Sequence, residues 1–183
     1  MSPEERSRAV KYLEETRQAF CEATAGLSGA QWNFREGAER WSVADCAEHI
    51  AVSEAEIYSI FQKEVVSSAP RPELKAAVEG KDALMFDRVP HRTRRVQAPE
   101  NLRPTRRWAD PSEAVRNFLA SRDTAIEFAK HSDLDLRSIF GEHPFLKTLD
   151  GYQWLLFLAG HSARHVEQIR EVQAHVGYPM SGE

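Results

Sequence analysis

The sequence predicts an all-α protein, a bundle of four long helices with a long crossover between the second helix and the third. Three observations carry this. Apolar residues recur at helical spacing in four separate segments. Three of those segments open on start signals that can be read directly. No stretch alternates apolar and polar residues as a half-buried strand does, and no internal repeat occurs. One short and one long connection suit a bundle whose crossover breaks a simple up-down path. A chain of 183 residues is enough for one sizeable core, so 1–183 is expected to be a single domain.

The first helix opens at "SPEE", with Ser2 as cap, Pro3 at the first helical position and Glu5 at the reciprocal position. Val10, Leu13, Phe20, Ala23 and Leu27 follow at helical spacing, and the turn-like "LSGAQWNF" ends it near residue 27. The second opens at "WSVAD", Ser42 capping and Asp45 answering three residues on. Its stripe runs through Val43, Cys46, Ile50, Ser53, Ile57, Ile60 and Phe61 to about Val66, where "SSAPRP" stops it. The connection from 68 to 110 holds a short helix from Pro72 to about Phe86. After it comes "DRVPHRTRRVQAPENLRPTRRWADP", rich in arginine and proline. A crossover this long in a compact domain often works over a site entrance. The third helix starts at "DPSE", read as Asp110 cap, Pro111 in the first turn and Glu113 as reciprocal capper. Val115, Phe118, Leu119, Ile126 and Ala129 are its buried side. The fourth runs from roughly Thr148 to Val176, is most apolar around "WLLFLAG", and stops at "GYP".

A net charge of −4 gives no general attraction to nucleic acid or to an anionic membrane. Cys21 and Cys46 match no disulfide framework. No apolar stretch follows Met1 and no long apolar run occurs, so neither export nor membrane spanning is expected, and a reduced, cytoplasmic protein is.

The chemistry gathers on "FLAGHSARHVEQI". His161 and His165 stand four residues apart, so both imidazoles stack on one helix face. Leu158 and Ile169 flank that face, where a buried polar group needs a partner. Gly160 beside them implies close approach of another helix or of a ligand, since an interior glycine costs about 1 kcal/mol against alanine. A third imidazole, His49, interrupts the apolar stripe of the second helix. Three neutral imidazoles can hold a divalent metal and leave a position open for water. Zinc is the first choice, with nickel or iron as alternatives. Cys46, one turn before His49, is either a further ligand or a small buried thiol. Asp45 either orients the His49 ring or serves only the cap.

"WSVADCAEHI" and "HPFLKTLDGYQWLLFLAGHSARHVEQI" together resemble the DinB-like superfamily, nearly end to end. The resemblance implies a four-helix bundle in up-down-down-up order. Its metal positions fall on His49, His161 and His165. It further implies a metal-dependent enzyme acting on a small-molecule substrate, either a hydrolase or a transferase of a low-molecular-weight thiol using a metal-bound water or thiolate. Relatives that form homodimers, and others without assigned activity, keep a homodimer and a non-catalytic, stress-associated metal-binding bundle in view.

The remaining candidates read more simply. "HSARH" lacks the glutamate of HExxH, so peptidase chemistry has little support. Glu48 and Glu167 point about 100° away from their neighbouring histidines, and Glu167 reads as a partner of Arg164 or Arg170. Arg88, Arg92, Arg94, Arg95, Arg103, Arg106 and Arg107 make either a lure for an acidic substrate or, preferably, a solvated loop paired with surplus acids. No nucleic-acid module accompanies them. His143 reads as a connecting feature, His91 and His131 as exposed, and His175 as a residue favourable to a helix C-terminus. The tryptophans 32, 41, 108 and 154 read as packing residues, with Trp108 able to line a pocket.

Overall fold

The structure, a computed structural model, describes residues 1–93 and 96–180. Helix α1 (Pro3–Thr24) begins at the expected Ser2–Glu5 capping box, and Ser28–Gln31 makes another for the short α2 (Gly29–Asn33). Helix α3 (Val43–Ile60) starts at Ser42–Asp45, continues as a π-helical turn over Phe61–Val66, and buries Val43, Cys46, Ile50, Ser53, Ile57 and Phe61. The single helix expected over 72–86 is instead two, α4 (Lys75–Val78) and α5 (Lys81–Asp87). They part at Gly80, whose φ of 76° no helix interior accepts.

Helix α6 (Ser112–His131) lacks the capping box expected of Asp110 and Glu113. Asp110 instead folds back on Ser112, taking its amide at 2.9 Å and its hydroxyl, so the helix starts one residue later. Helix α7 (Gly151–Gln173) is shorter at both ends than 148–176. Asp150 and Gln153 form its capping box, so the residues before it belong to something else. They form strand β2 (Lys147–Asp150), paired antiparallel with β1 (Phe140–His143).

This hairpin corrects the all-α expectation. Each strand is four residues, too short for alternation to register, and its support is tertiary. The Arg71 guanidinium donates to the Phe140 carbonyl, and the Lys81 ammonium donates to those of Leu146 and Thr148. Gly141 is required there because a Cβ would stand 2.5 Å from Val65 Cγ2.

Both α1 and α3 pack against α6 and α7. Arg6 donates to the Ala129 carbonyl and Gln173 to that of Ala23; Phe61 meets Phe128 edge to face at 5.3 Å. Every residue of α7 from Gly151 to Gly160 is buried. Its central seat explains Gly160, where a Cβ would lie 2.9 Å from the Met85 carbonyl oxygen and 3.1 Å from Val89 Cγ1. Alanine is the better helix former by about 1 kcal/mol, yet here the obstacle is α5 backbone. We therefore expect Gly160→Ala to lower the free energy of urea unfolding by about 1–3 kcal/mol; a gain in stability would show the contact to be soft.

Beneath the surface an ion pair reaches the middle of the bundle. Arg122 is fully buried, and its guanidinium grips the Glu54 carboxylate at 2.6 and 2.8 Å. It also donates to the Leu13 and Leu158 carbonyls and to the Thr16 and Ser162 hydroxyls.

Candidate metal centre

The three histidines expected from the sequence do come together. His49 is two turns into α3, past an N-terminus held by Ser42 and by Arg35, whose guanidinium lies 2.6 Å from Asp45. His161 and His165 face it from α7. One ring nitrogen of each lies within 4.8 Å of the other two. Ring centroids are 4.3 Å apart for His49–His165, 4.7 Å for His161–His165 and 5.3 Å for His49–His161. Trp41 covers one side, 5.0 Å from His49 and stacked at 6.2 Å on His165. His49 is buried, while His161 and His165 are each intermediate in exposure as whole residues.

The hydrogen bonds assign the tautomers. His49 Nδ1 stands 2.8 Å from the Leu102 carbonyl oxygen, which can only accept, so Nδ1 carries the hydrogen. His165 Nδ1 stands 3.0 Å from Gln168 Oε1. That atom also receives Arg92, at 2.9 Å, and a guanidinium only donates, so it is the amide oxygen. His165 Nδ1 therefore carries its hydrogen too. Both Nε2 atoms are left as bare lone pairs, and they face each other at 3.1 Å. The Ser53 hydroxyl, 3.4 and 3.5 Å from the His49 ring nitrogens, is too distant to relieve the contact. Among the described residues His161 has no hydrogen-bond partner at all.

Two facing lone pairs repel unless they share an electrophile, and a proton is disfavoured here. Burial pushes the His161 and His165 pKa values well down, and the neighbouring imidazoles push the same way. Burial also lowers that of His49, against the Leu102 hydrogen bond. Neutral imidazoles are the form that binds a metal. The His49–His165 spacing of 3.1 Å fits as well, since ligand nitrogens about 2.0–2.1 Å from one ion lie about 3.0–3.4 Å from each other. The chemistry of the donor set thus suits a divalent cation, and no described carboxylate or thiol joins the three nitrogens.

Other expectations resolve differently. Asp45 serves the cap and Arg35, and the outer nitrogen of His49 goes to the Leu102 carbonyl instead. Cys46 is a buried thiol whose pKa burial drives up, unlike a ligand thiolate. Glu167 pairs with Arg170 at 2.6 Å. Two crossover arginines do pair with acids, Arg92 with Glu171 at 2.9 Å and Arg107 with Glu48 at 3.0 Å. Arg94 and Arg95 lie outside the described residues. Trp108 is half-buried under the Arg107 guanidinium, 5.8 Å from its ring centre. Glu48 was legible only as a residue facing away from the site. It is buried, and accepts the Thr105 amide at 2.7 Å, the Thr105 hydroxyl at 3.2 Å and Arg107 Nε at 3.0 Å.

His143 is more than a connector. It is buried against Phe157 and Trp154, with Nδ1 accepting the Phe145 and Leu146 amides at 3.2 and 3.1 Å. Burial pushes its pKa from 6.5 down to about 4. Between these values the unfolded chain binds more protons, so stability falls as pH drops through the window. We expect His143 to contribute about 3 kcal/mol of that loss. His143→Asn, whose amide oxygen can accept the same hydrogens without titrating, should show a shallower decline in urea-unfolding free energy from pH 6.5 to 4. An unchanged slope would contradict this.

The family model for the DinB superfamily matches residues 12–169. The chain belongs to this superfamily. All three histidines fall inside the matched region. Another relative is YuaE of Bacillus subtilis strain 168, an uncharacterized protein, 27% identical over 170 residues that cover 91% of this chain and 98% of YuaE. Among solved structures, YfiT from Bacillus subtilis aligns with a TM-score of 0.65 at 19% identity, covering 98% of this chain and 91% of YfiT. YfiT is described as a probable metal-dependent hydrolase with an unusual four-helix bundle topology. The DinB-superfamily chain thus shares the fold of a four-helix bundle, and none of its described helices is long and apolar enough to cross a membrane.

Proposed function

We propose that this DinB-superfamily protein is a metal-dependent enzyme acting on a small molecule, with His49, His161 and His165 holding a divalent metal, zinc first and nickel or iron otherwise. One observation carries the reading: two bare Nε2 lone pairs facing at 3.1 Å beside a third imidazole without a hydrogen bond. A metal bound there would supply Lewis-acid activation of water or of a thiol. The chain's own residues do the rest. Leu102 and Gln168 hold the Nδ1 hydrogens outward, and Trp41 shields the His49–His165 side.

Hydrolysis is the reaction we favour, supported by the description of YfiT, whose fold this chain shares. The reading takes α1, α3, α6 and α7 to run up, down, down and up. That path is supported by the pairs Arg6–Ala129, Ala23–Gln173, His49–His165 and Phe61–Phe128.

Elemental analysis of protein purified without an affinity tag, then incubated with zinc, nickel and iron salts, tests the first half. About one equivalent of one metal per chain is expected, and none with any of the three would end the proposal. A panel of ester, amide and phosphoester hydrolysis, run beside conjugation of low-molecular-weight thiols to electrophiles, tests the second. Turnover in the thiol arm alone would replace hydrolysis by thiol transfer. Silence in both arms would leave a metal-binding bundle without catalysis.

A further inference from the structure

The facing histidines are contributed by α3 and α7, but their outer nitrogens are governed from the crossover. Two separate limbs reach down from it. In the first, the buried Glu48 carboxylate takes three hydrogen bonds from Thr105 and Arg107. Three residues before Thr105, the Leu102 carbonyl receives the His49 Nδ1 hydrogen at 2.8 Å. In the second, Arg92 bridges Glu171 and Gln168, and Gln168 Oε1 receives the His165 Nδ1 hydrogen at 3.0 Å.

We propose that the crossover is the orienting frame of the metal centre, with Arg92 in the crossover and Glu48, the α3 carboxylate that anchors it, as positioning residues; this rests on the metal reading above. The physical reason is tautomeric. A neutral imidazole carries its hydrogen on either nitrogen, and only a bare Nε2 can ligate at this point. The Leu102 carbonyl selects that form of His49. Without Glu48 the segment around Thr105 loses its anchor, and the carbonyl is no longer held against the ring. For His165 the selector is the amide oxygen of Gln168, and an amide can rotate to present its NH2 instead. Arg92 forbids the rotation, because it would set two donors against each other. Neither residue touches the metal position, so both act through another group.

Such outer contacts typically carry a 10- to 100-fold effect on metal affinity. The test uses the full chain as wild type, Glu48→Ala, Glu48→Gln and Arg92→Ala. Zinc affinity is measured by chelator competition, the visible spectrum with cobalt(II), and thermal melting without metal. Glu48→Ala and Arg92→Ala are expected to bind zinc about 10- to 100-fold more weakly and to shift the cobalt bands. Glu48→Gln keeps an oxygen for the Thr105 amide and is expected to recover part of the affinity. Should Glu48→Ala fail to fold, Arg92→Ala, in the loop that follows α5, decides the matter. Variants that melt lower yet bind zinc as tightly as wild type, with the same cobalt spectrum, would overturn the inference and leave the metal centre standing. A wild type that binds neither ion would overturn both.

Discussion

Replacing His165 by alanine is expected to erase most of the stability that zinc confers. At free zinc about 100 times the dissociation constant, the wild type gains about 2.7 kcal/mol, because the ion binds the folded chain and has no assembled site in the unfolded one. In a protein of this size that is a rise in Tm of about 5–10 °C. His165 supplies one of the two facing Nε2 atoms, 3.1 Å from the other. Zinc sites typically bind with about 10–16 kcal/mol shared over four ligands, so one lost imidazole costs about 3 kcal/mol, near 100-fold in affinity. At the same zinc concentration the remaining gain is about 0.4 kcal/mol, too little to move the melting curve by more than a degree or two. Scanning calorimetry of both proteins, with zinc and with chelator, reads the difference. A wild type that melts at one temperature in both conditions would remove the basis for the site.

That the three histidines meet was legible from their placement on two helices together with the resemblance to the DinB-like superfamily. His161 and His165 share one helix face, and His49 stands in the stripe that Cys46, Ile50 and Ser53 define, all of them buried. The capping boxes at Ser2–Glu5 and Ser42–Asp45 were equally plain, since a cap is a local interaction between residues three apart. What lay beyond local pattern was lost. The partner of His49 is a backbone carbonyl, an acceptor every residue has, so nothing in "ENLRP" marks Leu102. Glu48 becomes buried only because Thr105 and Arg107 arrive from more than fifty residues away. The β1–β2 hairpin depends on Arg71 and Lys81, and its four-residue strands carry too little periodicity to compete with the helical signal that follows. A readable sign did exist at Asp150–Gln153, a D-x-x-Q capping pair, and it would have placed the start of α7 correctly.

Arg122 is the other group that local reading passes over, and its loss is expected to be severe. It follows Phe118 by four residues and precedes Ala125, Ile126 and Ala129, so it sits squarely on the buried side of α6. Glu54 is placed likewise among Ile50, Ser53 and Ile57 on α3. A charge at a core position of each of two neighbouring helices, opposite in sign, is a signal that pattern-matching on apolar residues discards. Arg122→Ala would leave the Glu54 carboxylate, 1% exposed, with the Ser162 hydroxyl at 3.1 Å as its remaining partner. It would also strip donors from the Leu13 and Leu158 carbonyls. Breaking a buried pair from one side typically costs about 3–5 kcal/mol, a large share of the stability of most domains. The double variant Glu54→Leu with Arg122→Met discriminates between causes. If the penalty comes from the orphaned charge, the double variant should recover most of it, because a packed apolar pair is often no less stable than a buried ion pair. If the recovery is absent in urea unfolding, the guanidinium matters chiefly as the donor that ties α1 and α7 to α6, and the ion pair itself is secondary. Ser162, which accepts the Arg122 guanidinium at 2.9 Å, directly follows His161 in α7 and so joins this cluster to the histidines through the chain. Loss of Arg122 is therefore expected to weaken zinc binding as well, even in the fraction of molecules that remains folded.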